Sequence, residues 1–297
     1  MPGTFTAVDL SRLPPPTVIE QVDYEALLAD AIAQLKARDP VFDALVESDP
    51  AHKILQVCIY REMILRQQFN TRLRGMMLAY ATGSDLDHLG ALMGVTRLTL
   101  KAGDPAHGIE AQMESDHDLR YRIQLAPEGY SVAGPTGAYL YHALSSDADV
   151  LDASATSPSP GEVLITILSR SGDGTASDAL CQRVLRVLSA DTVRPLTDHV
   201  TVKPAQITLY AVDAVLDVFP GPDSSIVMAN ARTQLQERLR ATQRLGRDIA
   251  LSAIIAALHV EGVYRVQLKS PSADLVNSLT QAAFCQAITL NTVTADA

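Results

Sequence analysis

The hydrophobic period of this chain changes once, near Gly134, and that change restricts the fold more than any single residue does. Before it, apolar residues recur at the three-and-four spacing of helices; after it, short runs of β-formers alternate with helical stretches. EVLITILS, from Glu162, is a nearly continuous apolar run suited to a strand covered on both faces. In ITLYAVDAVLDVF, Tyr210, Val212, Ala214, Leu216 and Val218 share one face while Asp213 and Asp217 share the other, which predicts a half-exposed strand with its acids solvated. The expected class is therefore α+β: an N-terminal helical region with an extended arm, followed by two small related α/β modules. The 297 residues divide into a helical region with the arm (1–95), a linker with a short helix (96–133), a first α/β module (134–204) and a second (205–297).

The helical region carries its own punctuation. Pro14, Pro15 and Pro16 in LSRLPPPTVIE predict an extended, polyproline-like arm. Val22, Asp23 and Leu27 have the spacing of a hydrophobic staple around an N-cap, and Leu28, Ala31, Ile32 and Leu35 continue the stripe to the Asp39-Pro40 break. The longest helix is expected from about Ala51 to Tyr80. Cys58, Leu65, Phe69, Leu73, Met76 and Tyr80 line one side, and Lys53, Arg61, Arg66, Arg72 and Arg74 occupy much of the rest. ATGSDLDHLGALMGVTR, from Ala81, then gathers Ser84, Asp85, Asp87 and His88. Ser84 and Asp87 have capping-box spacing, Leu86, Leu89, Leu92 and Met93 form a stripe, and Gly94 is placed to end the helix left-handed. Two ligands, Asp85 and His88, are too few for a closed metal site, so the cluster reads as a helix start.

Residues 96–115 are polar and show no clear period, as expected of a linker or inserted loop, and His107 and His117 beside their acids match no metal spacing. Beyond Gly134 a short duplication is visible. LSSDADVLDASATSPSP aligns with LHVEGVYRVQLKSPSAD so that Val150 and Val263 precede Ser-Pro-Ser by the same distance, each after a helix ending in Ala-Leu. SGDGT lacks the lysine and glycine spacing of a phosphate loop and reads as a turn leading into a helix with Leu180, Val184, Val187 and Leu188 inward, before DHVTVKPA returns as a strand. Pro222 and Asp223 are expected to begin a helix ending near Gly246, and Asp248 to cap another through Ile254, Ala257 and Leu258.

The chain carries 24 basic against 34 acidic residues, a net charge of −10 that repels a nucleic-acid backbone. No run of about 18 apolar residues suggests membrane insertion, and no leader pattern opens the chain, so a soluble cytoplasmic product is expected. Cys58, Cys181 and Cys285 are far apart among aliphatic neighbours, as small buried hydrophobes are. With no Trp and 5% aromatic residues, stacking platforms for a flat cofactor are scarce. Hydrolase, zinc, redox, dinucleotide and Walker motifs are all missing, so no catalytic, cofactor-binding or metal residue is assigned.

Seven stretches, taken in order, resemble one family. They are LPPPTVIEQVDYEALLADAI, MMLAYATGSDLDHLGALMGVTR, ESDHDLRYRI, GPTGAYLYHAL, SPSPGEVLITILS, VRPLTDHVTV and LGRDIALSAIIAALHVEGVYRVQL. Their number and order are similar to the baseplate J-like family, the wedge proteins of contractile phage tails and related injection machines, and the likeness spans nearly the whole chain. It implies a structural, non-enzymatic role with no cofactor. The expected partners are other copies of the chain, other wedge proteins, and hub and sheath components, joined in a sixfold ring that rearranges when the sheath contracts. It also implies a place in the tail baseplate of a phage or a headless, bacteriocin-like tail, assembled in the host cytoplasm. On this reading Leu13, Val18, Ile19, Phe69 and Leu73 are candidate partner-interface residues. Two alternatives stand beside it: a tail-associated hydrolase of cell-envelope polymer using acids such as Asp213, Asp217 or Asp87, and a soluble adaptor unrelated to phage tails.

Overall fold

The computed structural model describes Leu10, Leu13, Pro14 and residues 16–220 and 223–294. The chain forms two compact units, one built on Ala7–Arg97 with Ser115–Arg120, the other on Leu98–Glu114 and Tyr121–Ala297. Its class is mixed α+β, with a helical N-terminal region followed by sheet-containing modules.

In the helical unit, α1 (Tyr24–Arg38) packs against α2 (Pro50–Gly75). Asp23 caps α1, its carboxylate accepting the N–H groups of Glu25 and Ala26, and the helix stops before Pro40, where a proline ring would clash with the preceding turn. Helix α2 ends at Gly75, earlier than its sequence pattern suggests, because the chain turns at Met76 so that Met77 and Tyr80 bond within tight turns. Gly75 is packed so closely against the Asp85 side chain that a β-carbon there would collide with it.

Helix α3 (Gly83–Leu92) corrects the expected cap. Ser84 lies inside the helix, and no side chain of its own segment caps it. The Gly83 N–H is instead taken by Asp116, 3.2 Å away, from the start of α4 (Asp116–Leu125). The other end is as expected: Gly94 adopts φ +70°, Val95 N–H bonds the Gly90 carbonyl and Gly94 N–H bonds that of Ala91, a Schellman closure. No described atom lies within 4 Å of the missing β-carbon, so Gly94→Ala adds left-handed strain. A loss of about 1–2 kcal/mol in urea unfolding is expected.

The α/β unit begins with a small hairpin, β1 (Thr99–Lys101) and β2 (Gln112–Met113), where the sequence suggested only a loop. In the first module, α5 (Thr136–Ser146) leads to β3 (Val150–Thr156), β4 (Glu162–Ser169), α6 (Asp178–Leu188) and β5 (His199–Pro204). β4 is central, antiparallel to β3 and parallel to β5, which it reaches through α6. Leu180, Cys181, Val184 and Leu188 of α6 pack with Tyr139, Ile165 and Ile167 in one core. SGDGT is a turn, with Gly172 and Gly174 both at positive φ.

The second module holds β6 (Gln206–Val218), α7 (Ser224–Thr242), α8 (Leu251–Leu258), β7 (Val263–Ser270) and β8 (Gln281–Thr294). β6 is central, antiparallel to β7 and parallel to β8. Tyr210, Val212, Ala214, Leu216 and Val218 enter its core together with Leu235, Ile254 and Leu258. The two modules thus share a three-stranded plan, and the two aligned stretches each fold as a helix followed by a strand, α5-β3 and α8-β7. The likeness stops there, since β3 pairs with the next strand in sequence and β7 pairs with the preceding one. The modules are joined by Asp152, which accepts the Leu245 N–H at 2.9 Å, and by Ser154, whose hydroxyl donates to the Leu279 carbonyl.

One further cap is corrected. Asp248 does not cap α8. Ala250 is the N-cap, the carboxylate of Asp274 takes the Leu251 N–H at 2.8 Å, and Asp248 accepts from Asn277 instead. Asp223 does cap α7, while Pro222 lies outside the described residues. The long strand β8 is an element the sequence did not announce.

Candidate assembly surfaces

Helix α2 carries apolar residues on two faces. His52 and Ile59 are buried on one. On the other, Ile54, Val57, Cys58, Leu65, Phe69 and Met76 are all exposed, and they fall within about 120° of one another at 100° per residue. Leu65 is 65% exposed, Phe69 56% and Met76 73%. Single exposed hydrophobics are ordinary; a stripe of them running from Ile54 to the helix end at Met76, about six turns, marks an interaction surface. Arg61 and Arg72 lie within the stripe, so the face is apolar with basic relief. The expectation that all three cysteines are buried fails here. Cys58 is exposed, Cys181 buried and Cys285 half-buried.

The arm lies along α2. Tyr80 Oη donates to the Leu13 carbonyl at 2.9 Å, Asn70 Nδ2 donates to the Glu20 carbonyl at 2.8 Å, and Asn70 Oδ1 accepts the Glu20 N–H at 3.2 Å. Arg66 bridges Glu20 at 3.0 Å and Glu62 at 2.7 Å. These bonds place the five candidate interface residues in two settings. Leu13, Val18 and Phe69 are exposed, whereas Ile19 and Leu73 are half-buried, Leu73 on the side of α2 that carries Arg66 and Asn70. Ile54 and Val57 extend the exposed face that the sequence placed at Cys58, Leu65, Phe69 and Met76, while Leu73 leaves it.

Two of the three acids that invited a catalytic reading, Asp217 and Asp87, are engaged elsewhere. Asp217, expected on a solvated face, is nearly buried. Gln267 and Arg265 bond its oxygens, the arginine at 2.9 Å, and together hold the carboxyl below the usual carboxylate range. Asp213 Oδ1 is enclosed with no hydrogen-bond partner among the described residues. Asp87 pairs with Arg97 at 2.7 Å, and Arg97 also reaches Asp116 at 2.7 Å. Burial pushes the Asp116 carboxyl up, but Arg97 and the Gly83 N–H outweigh it and hold it low. Burial likewise raises the thiols of Cys181 and Cys285, disfavouring the thiolate a nucleophile needs. Among the described residues no group of three or more His, Cys, Asp or Glu is placed to hold a metal ion, and no helix is long and apolar enough to cross a membrane.

Comparison with known proteins assigns this architecture. The Baseplate J-like N-terminal domain matches residues 47–104, the Baseplate J-like central domain residues 131–204, and the Baseplate J-like protein C-terminal domain residues 210–291. Baseplate protein J of Escherichia phage P2 is 47% identical over 287 residues, covering 94% of this chain and 95% of that protein. The chain belongs to the baseplate J-like family. This family consists of structural proteins of phage contractile-tail baseplates, and a tail-baseplate location follows. A solved baseplate of the anti-feeding prophage, 6-fold symmetrised, matches more loosely, with 14% identity and a TM-score of 0.41 over 61% of this chain and 43% of that one. Set on the baseplate J-like fold, the N-terminal match takes in α2 with its exposed stripe and α3, the central match the sheet of β3, β4 and β5, and the C-terminal match nearly all of the sheet of β6, β7 and β8.

Proposed function

We propose that this chain is a wedge component that assembles with copies of itself and with other wedge, hub and sheath proteins into a sixfold ring around the hub. The ring transmits the rearrangement that triggers sheath contraction. The observation that carries this reading is the exposed apolar face of α2 in a baseplate J-like chain. A face of that length is costly to leave in water and suits a partner helix laid along it. The helical region holds the wedge core, and the two modules of the α/β unit carry contacts between copies. The role is non-enzymatic: of the acids a hydrolase would use, Asp217 is held by Arg265 and Gln267 and Asp87 by Arg97, which supports this assignment. Assembly takes place in the host cytoplasm, before the tail is complete.

Cryo-electron microscopy of the tagged full-length chain, purified from its native producer with whatever accompanies it, tests the proposal. A wedge or sixfold ring containing the chain is the expected result. A lone monomer, with no other tail protein bound, overturns it.

A further inference from the structure

Among the described residues, the outer edge of β8 is unguarded. There β8 is the last strand of its sheet and pairs with β6 alone. Its first carbonyl, that of Gln281, accepts the Gly246 N–H at 3.0 Å; beyond that, its outer edge meets no strand among the described residues. Proteins commonly blunt such edges with charges or proline. The edge strand β7 carries Arg265 and Lys269, and β5 ends in Lys203 and Pro204, yet from Phe284 to Thr294 β8 has neither a charged residue nor a proline. A groove of about 270 Å³ runs beside it, lined by Leu239, Arg240 and Gln243 of α7 and by Phe284, Cys285 and Ile288 of β8. A free strand edge beside a helix, with apolar side chains between them, is the geometry into which an extended peptide adds as a further strand.

The same chain supplies a fitting peptide. Thr4, Phe5, Thr6, Ala7 and Val8 are mostly strong β-formers, uncharged and free of proline. Extended, five residues span about 17 Å, the length of an equal run of β8. Alternation sets Phe5 and Ala7 on one face, a large and a small apolar group for the groove. Asp9 follows, while the groove wall presents Arg240 and no acid. The bonds of Leu13 and Glu20 to α2 leave residues 1–9, which lie outside the described structure, ahead of the anchored stretch of the arm.

We propose that residues 4–8 of one copy add as a strand to the β8 edge of a second copy, seating Phe5 in the groove beside α7. The idea deepens the ring reading and rests on it, because the ring is what supplies a neighbouring copy. Disulfide trapping between two differently marked full-length chains tests it. One chain carries Thr6→Cys; the other carries Gln286→Cys on the open edge. Both have Cys58→Ser, Cys181→Ser and Cys285→Ser, so that only a bond between copies can report. A control partner carries Leu196→Cys, an exposed site in the other module. The expected result is a disulfide dimer with Gln286→Cys at least tenfold more abundant than with the control, reduced severalfold by adding Ile288→Asp to a chain whose melting curve is unchanged. Equal trapping at both sites, or none at Gln286→Cys, overturns the proposal. Capture of other baseplate proteins is scored on the same chains. Trapping lost with capture intact defeats the strand addition alone; capture lost with trapping intact defeats the ring reading alone.

Discussion

Replacing Arg122 by alanine is expected to destabilise the α/β unit by about 3–5 kcal/mol, because it strips the partner from a carboxylate that has no access to water. Arg122 grips Glu114 with two parallel bonds, Nε to Oε1 at 2.8 Å and Nη2 to Oε2 at 2.7 Å. Its side chain is 5% exposed and that of Glu114 1%. The same guanidinium donates to Ser145 of α5 at 3.2 Å, and Glu114 Oε2 accepts the Leu98 N–H at 3.1 Å. One ion pair therefore ties together the base of the β1-β2 hairpin, α4 and α5. Removing only the cation leaves the Glu114 carboxylate buried without its guanidinium, which is far worse than removing the pair. The double variant Arg122→Met, Glu114→Leu should recover most of the loss, since apolar groups of similar volume replace a buried ion pair at little net cost. Scanning calorimetry reads both. At roughly 2–4 °C per kcal/mol, the single variant falls by about 10 °C and the double by much less. An unchanged transition for Arg122→Ala would show that the pair is not buried in solution.

That pair also marks the limit of sequence reading. ESDHDLRYR looks like a solvated helix face, because nothing local distinguishes Arg122 from Arg120. Arg120 in fact bonds main-chain carbonyls of Leu78 and Ala81, whereas Arg122 pairs inside the α/β unit. The caps divide in the same way. Asp23 and Asp223 were readable because a cap set by its own segment has a fixed spacing. The caps of α3 and α8 were not, since Asp116 and Asp274 lie 33 and 23 residues from the N–H groups they receive. Gly94 was legible for the opposite reason: a left-handed helix end is a local demand that one residue type meets best.

The strands repeat the lesson. β6 was plain in the sequence because its inner face is wholly apolar, but its outer face was misjudged. Gln267 and Arg265 come from β7, a strand about 50 residues away, and they remove Asp217 from solvent. β8 escaped notice because a bulge at Gln286, between the pairs Tyr210–Cys285 and Ala211–Ala287, breaks its alternation. On α2 the sequence showed one apolar side, whereas the folded helix buries His52 and Ile59 on another. Which side meets α1 depends on tertiary packing, so the exposed stripe became recognisable as a surface only in the folded chain.

Placing two carboxylates on that surface should cut the affinity for other baseplate proteins at least a hundredfold while leaving the chain folded. Leu65→Asp with Phe69→Asp is the informative pair, because both side chains already face water and surface substitutions away from special features cost within about 0.5 kcal/mol each. In a complex the account reverses. Burying a leucine or phenylalanine contributes about 1.5–3 kcal/mol apiece, so the two together supply roughly 3–6 kcal/mol, which the aspartates replace with charges to be desolvated. At 1.4 kcal/mol per factor of ten, a loss of two to four orders of magnitude is expected. The matched control is Gln67→Asp with Thr71→Asp, which puts equal charge on another exposed side of the same helix. Pull-down and sedimentation on the tagged chains separate the outcomes. Capture lost with the first pair and kept with the second locates the wedge contact on the stripe of Leu65 and Phe69. Equal loss in both would make the effect one of charge alone, and equal retention would move the contact to the arm or to the α/β modules.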